Sequence, residues 1–96
     1  MSFQLLFLPK AKETLFLLEK TDPKKHKKVV KTLGILSINP RNQSLNTHKF
    51  SGLSGFNNEE IFEAYVQNKT PSAYRIFCFY GPEKKNITIV AITPHP

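Results

Sequence analysis

Apolar and polar residues follow one another in patterns that predict a strand and then a helix at the start of the chain. Residues 3–8 form an apolar run that stops at Pro9, which is typical of a buried strand. Proline is tolerated in the first turn of a helix, and the segment from Lys10 to Lys20 has helical spacing of its apolar residues. The apolar face of this predicted helix carries Ala11, Leu15 and Leu18.

A second helix is predicted directly after the first. Asp22 is a suitable N-cap, and Pro23 is a suitable first helical residue. The periodicity continues to Ile38, and Pro40 then disfavours helical dihedrals in the residue before it. So short a link between two helices predicts an antiparallel hairpin. Four apolar residues of the second helix are predicted to point inward: Val29, Val30, Leu33 and Leu36.

The second half of the chain has the composition of strands separated by turns. After a polar loop at residues 41–46, the predicted strands are Thr47–Leu53, Glu60–Asn68, Ser72–Tyr80 and Ile87–Thr93. The element order is β-α-α-β-β-β-β, with no repeat or linker, so we expect one domain over residues 1–96. We therefore predict an α+β fold, in which the antiparallel helical hairpin packs on one face of a mainly antiparallel sheet and leaves the other face partly open.

Strand alternation assigns the residues of the third and fourth predicted strands to the two faces of the sheet. We expect the side packed under the helices to carry Phe62, Ala64, Val66, Ile76 and Cys78. Glu63, Tyr65 and Arg75 would then line the open face. This assignment depends on the hairpin register, because a slip of one residue exchanges the faces. A four-residue loop at 68–71 places Arg75 opposite Ala64 and separates it from Glu63, whereas a bulge or an odd-length loop brings the two together.

Charge and composition point to an anionic partner. The 96 residues carry a net charge of +7, which is typical of small domains that meet nucleic acid, an acidic protein or a membrane surface. The densest basic run lies on the second helix: Lys24, Lys25, Lys27, Lys28 and Lys31. These lysines form either a solvated helix face or a clamp for phosphate groups. No apolar run reaches the roughly 20 residues needed to span a bilayer, and the single cysteine cannot form an internal disulfide, so a cytoplasmic location is expected.

Two residues suggest chemistry on phosphate. Arg75 lies in the middle of an apolar strand, where a guanidinium needs a carboxylate or another anion as its partner. His95 follows the last strand, and its imidazole can exchange protons near neutral pH. The three histidines are far apart in the sequence, and no metal site, glycine-rich phosphate loop or other cofactor motif can be derived.

The basic helical hairpin is followed by the segments THKFSGL, EAYVQNKTPSAYRIFCFYG and ITIVAITPHP. Together they resemble the RelE/ParE superfamily of bacterial type II toxins over nearly the whole chain. Members similar to RelE and YoeB cut messenger RNA without a metal, usually on the ribosome. The resemblance also implies an acidic or amphipathic antitoxin protein as partner, and no membrane association.

The resemblance assigns roles to individual residues. Arg75 matches the family's phosphate-stabilising arginine, and His95 matches the near-terminal acid/base histidine of the YoeB-like branch. A further basic or acidic residue of the second or third strand often joins them in the family, and Lys49, His48 and Glu63 could fill that position here, with Glu63 or Lys49 as the second group that handles protons. The remaining residues expected to contact RNA are His48, Tyr65, Tyr80 and the lysines of the second helix, with the tyrosines stacking on bases.

Two alternatives to a nuclease remain open at the level of the sequence. ParE-like members of the superfamily bind DNA gyrase and lack the acid/base residues. A catalytically degenerate module that only binds a partner or RNA is the other alternative, because this chain has Pro96 where the YoeB-like branch has a tyrosine and has few basic residues on the open face.

Overall fold

The computed structural model describes residues 2–66 and 73–94, and His95 and the turn at 68–71 lie outside them. Its helices and strands are β1 (Gln4–Phe7), α1 (Pro9–Thr21), α2 (Pro23–Ile38), a 3-10 turn (Gln43–Leu45), β2 (His48–Ser54), β3 (Glu60–Tyr65), β4 (Tyr74–Tyr80) and β5 (Asn86–Pro94). The strands form one sheet in the order β1-β5-β4-β3-β2. β1 runs parallel to β5, and the other neighbours are antiparallel. The predicted α+β fold is therefore confirmed.

The first strand lies at an edge of the sheet and is only half-buried, so its prediction as a buried strand was wrong. Among the described strands, β1 forms its hydrogen bonds with β5. The apolar residues of β1 instead pack at the margin of the helical layer, and the backbone N–H of Phe3 donates to the carbonyl oxygen of Ser37 at 2.6 Å. A short apolar strand that is covered on one face has the same composition as a strand that is covered on both faces, so composition alone does not distinguish the two.

The second helix begins and ends where its sequence signals predict. The side chain of Asp22 accepts a hydrogen bond from the backbone N–H of Lys25 at 3.2 Å, which caps the first turn. Three of the four residues expected to point inward are buried, but Val30 is 47% exposed, so its assignment was wrong. Because consecutive helical residues differ by about 100° in direction, Thr32 takes the remaining inward position, and its hydroxyl donates to the carbonyl oxygen of Lys28.

The main core lies between the helices and the sheet, as predicted. Ala64, Ile76 and Cys78 are buried there, with Phe62 and Val66 packed against them. The segment 41–46 was predicted to be a polar loop, but a 3-10 turn within it buries Leu45 in this same core. This apolar anchor attaches the loop to α2 and to β3.

A second, smaller core covers part of the opposite face of the sheet. It contains Ile61, Phe77 and Phe79, with Phe50, Val90 and Ala91 packed against them. The face left open by the helices is therefore apolar towards one end of β4 and polar towards the other, where Arg75 lies.

The β3–β4 register settles the alternative that the sequence left open. Tyr65 pairs with Arg75, and Glu63 pairs with Phe77. Because directly opposed residues of an antiparallel pair share a face, this register places Glu63, Tyr65 and Arg75 together, away from the helices. None of the helices in the described ranges is long and apolar enough to cross a membrane.

Candidate functional site

Three adjacent strands bring a carboxylate, a guanidinium and an imidazole to one face of the sheet. His48 at the start of β2 pairs directly with Glu63 on β3, and Arg75 on β4 lies one diagonal step from Glu63. Tyr65, two residues after Glu63, completes the group. We refer to Glu63, Arg75, His48 and Tyr65 as the Glu63 cluster.

Glu63 is the centre of the cluster and is nearly inaccessible, with 2% of its surface exposed. One carboxylate oxygen, Oε2, accepts a hydrogen bond from Nη1 of Arg75 at 2.5 Å. The other, Oε1, lies 2.8 Å from Nε2 of His48 and 3.4 Å from the hydroxyl of Tyr65. A buried carboxylate is costly unless each of its oxygens is paired, and here two basic groups supply that pairing.

His48 is held at both ring nitrogens. Nδ1 lies 2.9 Å from the carbonyl oxygen of Asn46, and because a carbonyl oxygen only accepts, Nδ1 carries a proton. Asn46 has a left-handed backbone (φ 48°, ψ 44°), which asparagine tolerates well and which ends the 3-10 turn beside the ring. Nε2 of His48 faces Oε1 of Glu63 at hydrogen-bonding distance. The side chain of His48 is 45% exposed, so solvent reaches this carboxylate–imidazole pair through the imidazole.

The guanidinium of Arg75 is flanked by aromatic rings. Its Cζ atom lies 5.0 Å from the ring centroid of Phe77 and 6.0 Å from that of Phe50, within the range of cation–π attraction. The buried Nε has no hydrogen-bond partner among the described residues. Glu63 and the two rings therefore fix the position of the Arg75 guanidinium. At least one of its N–H groups, Nε, forms no hydrogen bond with the described residues.

The structure leaves two of the predicted residues away from this cluster. Lys49 pairs with Phe62 across the strands and so points to the opposite face, where its Nζ forms an exposed ion pair with Glu60 Oε1 at 3.0 Å. Tyr80 also lies on that opposite face, half-exposed, with its ring centroid 5.5 Å from that of Phe62. His95 lies outside the described residues, but the β5 residue Thr93 pairs directly with Arg75.

The lysines of α2 are on the surface of the helical layer. Lys24, Lys27, Lys28 and Lys31 are exposed, whereas Lys25 is half-buried with its Nζ 5.8 Å from the ring centroid of Tyr74. Lys28 and Lys31 line a groove of about 300 Å³ whose lining also includes Ser44 and Tyr65. Tyr65 is the residue that this groove shares with the Glu63 cluster.

Other types of chemistry find less support in the described part of the chain. It contains no group of three or more His, Cys, Asp or Glu side chains that could hold a metal ion. Burial raises the pKa of the Cys78 thiol to about 12, which removes it as a nucleophile near neutral pH.

The pairing of His48 with Glu63 is the feature that sequence reasoning missed. His48 was expected to contact RNA or to join the catalytic residues, but no contact with Glu63 was predicted, because the register of β2 against β3 is not readable from its polar, glycine-containing sequence. One local signal does point to this region. Asparagine is a frequent residue in left-handed turns, so Asn46 marks a turn directly before β2.

Comparison with solved structures supports the resemblance seen in the sequence. The YoeB/ParE toxin from Agrobacterium tumefaciens superposes with a TM-score of 0.74 at 9% identity, covering 97% of this chain and 99% of that one. The archaeal RelE–RelB complex from Pyrococcus horikoshii superposes with a TM-score of 0.68 at 16% identity, covering 98% of this chain and 96% of the matched chain. The YoeB dimer from Staphylococcus aureus gives 0.66 at 20% identity, covering 100% of both chains.

No protein-family model matches the chain, and no curated protein matches it in sequence. At identities of 20% or less the structural similarity establishes the fold. The chain has the fold of the RelE, YoeB and ParE toxins over its whole length.

Proposed function

We propose that this protein is the toxin of a type II toxin–antitoxin system and cleaves messenger RNA without a metal, in the manner of the ribosome-dependent RelE and YoeB toxins. The observation that carries the proposal is the Glu63 cluster, which sets a fixed guanidinium beside a carboxylate–imidazole pair at hydrogen-bonding distance. The fold and the charge of +7 support it, because the substrate is a polyanion.

The reaction begins at a ribose 2′-hydroxyl. A base removes its proton, the 2′-oxygen forms a bond to the adjacent phosphorus, and the bond from phosphorus to the 5′-oxygen breaks. The departing 5′-oxygen takes a proton, so the products are a 2′,3′-cyclic phosphate and a 5′-hydroxyl. General acid–base help at these two proton transfers is worth roughly 10²–10⁴-fold.

Arg75 stabilises the negative charge that grows on the phosphoryl oxygens during attack. Its position is preorganised by Glu63 and by the rings of Phe77 and Phe50, so little reorganisation is needed when the phosphate binds. A donor fixed in this way favours the transition state more than the ground state.

His48 acts as the general acid in this proposal. With both ring nitrogens protonated it donates the Nδ1 proton to the departing 5′-oxygen in place of Asn46, and the Nε2 proton stays on the bond to Glu63. Glu63 is too buried to touch RNA and acts as a positioning residue through His48 and Arg75. His95 is proposed as the base that accepts the 2′-proton. Lys49 takes part in neither proton transfer, since its side chain lies on the other face of the sheet.

The proposed partner in the resting state is an antitoxin protein. Two of the similar structures are described as toxin–antitoxin complexes, RelBE from E. coli and YoeB–YefM from Staphylococcus aureus. The basic surface of α2 and the exposed apolar side chains of α1, Phe16 and Leu17, suit an acidic, amphipathic protein segment.

The test is cleavage of a defined messenger RNA on programmed ribosomes, read as the yield of new 5′ ends. We expect Arg75→Ala to lower the cleavage rate by about 10²–10³-fold, the usual loss of one electrostatic donor. Lys49→Ala is expected to cleave as the unmodified protein does. Equal activity in Arg75→Ala and the unmodified protein would rule out the assigned site.

Gyrase inhibition is the second candidate, because one similar structure is named a YoeB/ParE toxin. Loss of supercoiling by DNA gyrase, with messenger RNA left intact, would favour it. If expression of the protein does not harm the cell, and neither messenger RNA cleavage nor gyrase inhibition is seen, the protein is a binding module without catalysis.

A further inference from the structure

We propose that Asn46 is a positioning residue for His48, and that its contribution comes from the left-handed conformation of its backbone and not from its side chain. The carbonyl oxygen of Asn46 lies 2.9 Å from Nδ1 of His48, the nitrogen to which the proposed mechanism assigns the transferred proton. The inference deepens the proposed function and rests on it for the role of His48 as the general acid. Asn46 acts through the imidazole and takes no proton itself.

The direction of the Asn46 carbonyl is set by its backbone dihedrals. Asn46 has φ 48° and ψ 44°, and among the described residues it shares a positive φ with one other residue that is not glycine, Asn58. This region is unfavourable for most side chains and is tolerated by asparagine and glycine. A change of φ and ψ to helical or extended values would turn the carbonyl away from the ring of His48.

The turn that carries Asn46 is fixed on both sides. The Asn42 side chain caps the start of the 3-10 turn, and Leu45 is 1% exposed in the main core. After the turn, the Thr47 hydroxyl donates to the carbonyl oxygen of Pro40 at 2.9 Å. The side chain of Asn46 is exposed, so what this anchored turn delivers to the imidazole is a backbone carbonyl in a fixed place.

The two ring nitrogens of His48 face acceptors of unequal strength. Nε2 faces a carboxylate oxygen of Glu63, whereas Nδ1 faces the neutral carbonyl of Asn46. Because hydrogen bonds to an ionised acceptor are roughly twice as strong as those to a neutral one, the Nε2 proton is retained and the Nδ1 proton is released.

A carbonyl oxygen accepts a hydrogen bond but is too weak a base to take the proton near neutral pH. Asn46 therefore keeps the Nδ1–H group of His48 oriented until the departing 5′-oxygen replaces the carbonyl. The bond from Nδ1 to hydrogen then breaks, its electron pair stays on Nδ1, and the hydrogen bonds to the 5′-oxygen. Exchange of one acceptor for another needs no rotation of the ring, which is a form of preorganisation.

Asn58 provides a matched control within the same chain. It has φ 61°, is exposed, and lies in the turn between β2 and β3, at the end of β2 that is remote from His48. Alanine at position 46 or 58 would have to adopt the same unfavourable backbone region, so we expect Asn46→Ala and Asn58→Ala to lower the midpoint of urea unfolding by similar amounts. Only Asn46 is placed beside the imidazole.

The first measurement needs no RNA. At mildly acidic pH, at which an imidazole carries a proton on each nitrogen, ¹H–¹⁵N spectra record both ring N–H groups of His48, assigned by their loss in His48→Gln. We expect the Nδ1–H signal to move upfield in Asn46→Ala, while the Nε2–H signal, on the side of Glu63, keeps its position. Asn46→Gly, which adopts the left-handed region freely, and Asn58→Ala should give the spectrum of the unmodified protein.

The second measurement is the cleavage of messenger RNA on programmed ribosomes. We expect Asn46→Ala to lower kcat by about 10-fold, because the acid is no longer held in its productive orientation, with KM within about 2-fold. Asn46→Gly and Asn58→Ala should retain kcat to within about 2-fold. Thr47→Val removes the hydroxyl that holds the same turn to Pro40 and should lower kcat by about 3-fold, so it decides the question if Asn46→Ala does not fold.

Equal kcat in Asn46→Ala and Asn58→Ala, or an unchanged Nδ1–H signal in Asn46→Ala, overturns the positioning role. A loss that Asn46→Gly shares also overturns it, because the side chain and not the backbone conformation would then be responsible. An Nδ1–H signal that depends on Asn46, in a protein that does not cut messenger RNA, would support the positioning of the ring and reject the nuclease. Cleavage that is equal in all the variants would do the reverse.

Discussion

Oε1 of Glu63 lies 2.8 Å from Nε2 of His48, and Oε2 of the same carboxylate accepts a hydrogen bond from Arg75. His48 and Glu63 are directly paired residues of β2 and β3, so the backbone register itself holds them together. One buried anion thus orients two basic groups on neighbouring strands. The stability of the sheet and the proposed chemistry both depend on this carboxylate.

The first prediction concerns the stability contributed by Glu63. Glu63→Ala leaves Arg75 largely buried without its counter-ion, and we expect the free energy of unfolding to fall by about 3 kcal/mol. Glu60→Ala is the matched control on the same strand, because its ion pair with Lys49 is exposed and is worth less than about 1 kcal/mol. Urea unfolding of both variants provides the measurement. Equal losses would show that the Glu63 cluster is no more important to stability than a surface pair.

The second prediction separates the chemical role of His48 from a structural one. His48→Gln retains a side chain that can hydrogen-bond to Glu63 but has no proton to transfer at neutral pH. We expect cleavage to fall by about 10²-fold or more, while the midpoint of urea unfolding stays near that of the unmodified protein. An active His48→Gln variant would assign the proton transfer to another residue.

The third prediction concerns Lys28 and Lys31 of α2, which line the groove of about 300 Å³. If Lys28 and Lys31 contact phosphates, each alanine substitution should weaken RNA binding for every sequence and reduce the slope of log K against log salt by about 1. Lys12→Ala on α1 should leave the slope unchanged. Slopes that are the same in all three variants would identify these lysines as an ordinary solvated face.

The fourth prediction follows from the buried thiol of Cys78. Burial raises its pKa from 9.0 to about 12, so above pH 9 the unfolded chain loses this proton while the folded chain keeps it. The stabilisation from Cys78 is therefore complete below pH 9 and decreases as the pH rises towards 12, by at most about 1.4 kcal/mol for each pH unit. The difference in unfolding free energy between the unmodified protein and Cys78→Ala should shrink over that range. A difference that is constant with pH would contradict the burial of the thiol.

Local sequence signals were sufficient to predict features of the fold that depend only on residues close together in the chain. Asp22 and Pro23 set the start of α2, and the proline at position 40 limits its end, because capping and proline geometry depend on neighbouring residues alone. The alternation around Ala64 and Ile76 likewise predicted which face meets the helices. Periodicity was less informative for Val30 and Leu45, because their burial depends on where α1 and the 3-10 turn pack.

The sequence by itself determined the elements, their order and the presence of Arg75 and Glu63 on strands that alternate between two faces. Only the tertiary structure decided that these two residues meet, because a shift of one residue in the β3–β4 hairpin would have sent Arg75 to the opposite side. The same holds for His48, which reaches Glu63 through the pairing of an edge strand, and for Lys49, which the alternation of that strand turns away. Register joins residues distant in the chain, and its free energy comes from packing across the whole sheet, so no short stretch of sequence specifies it.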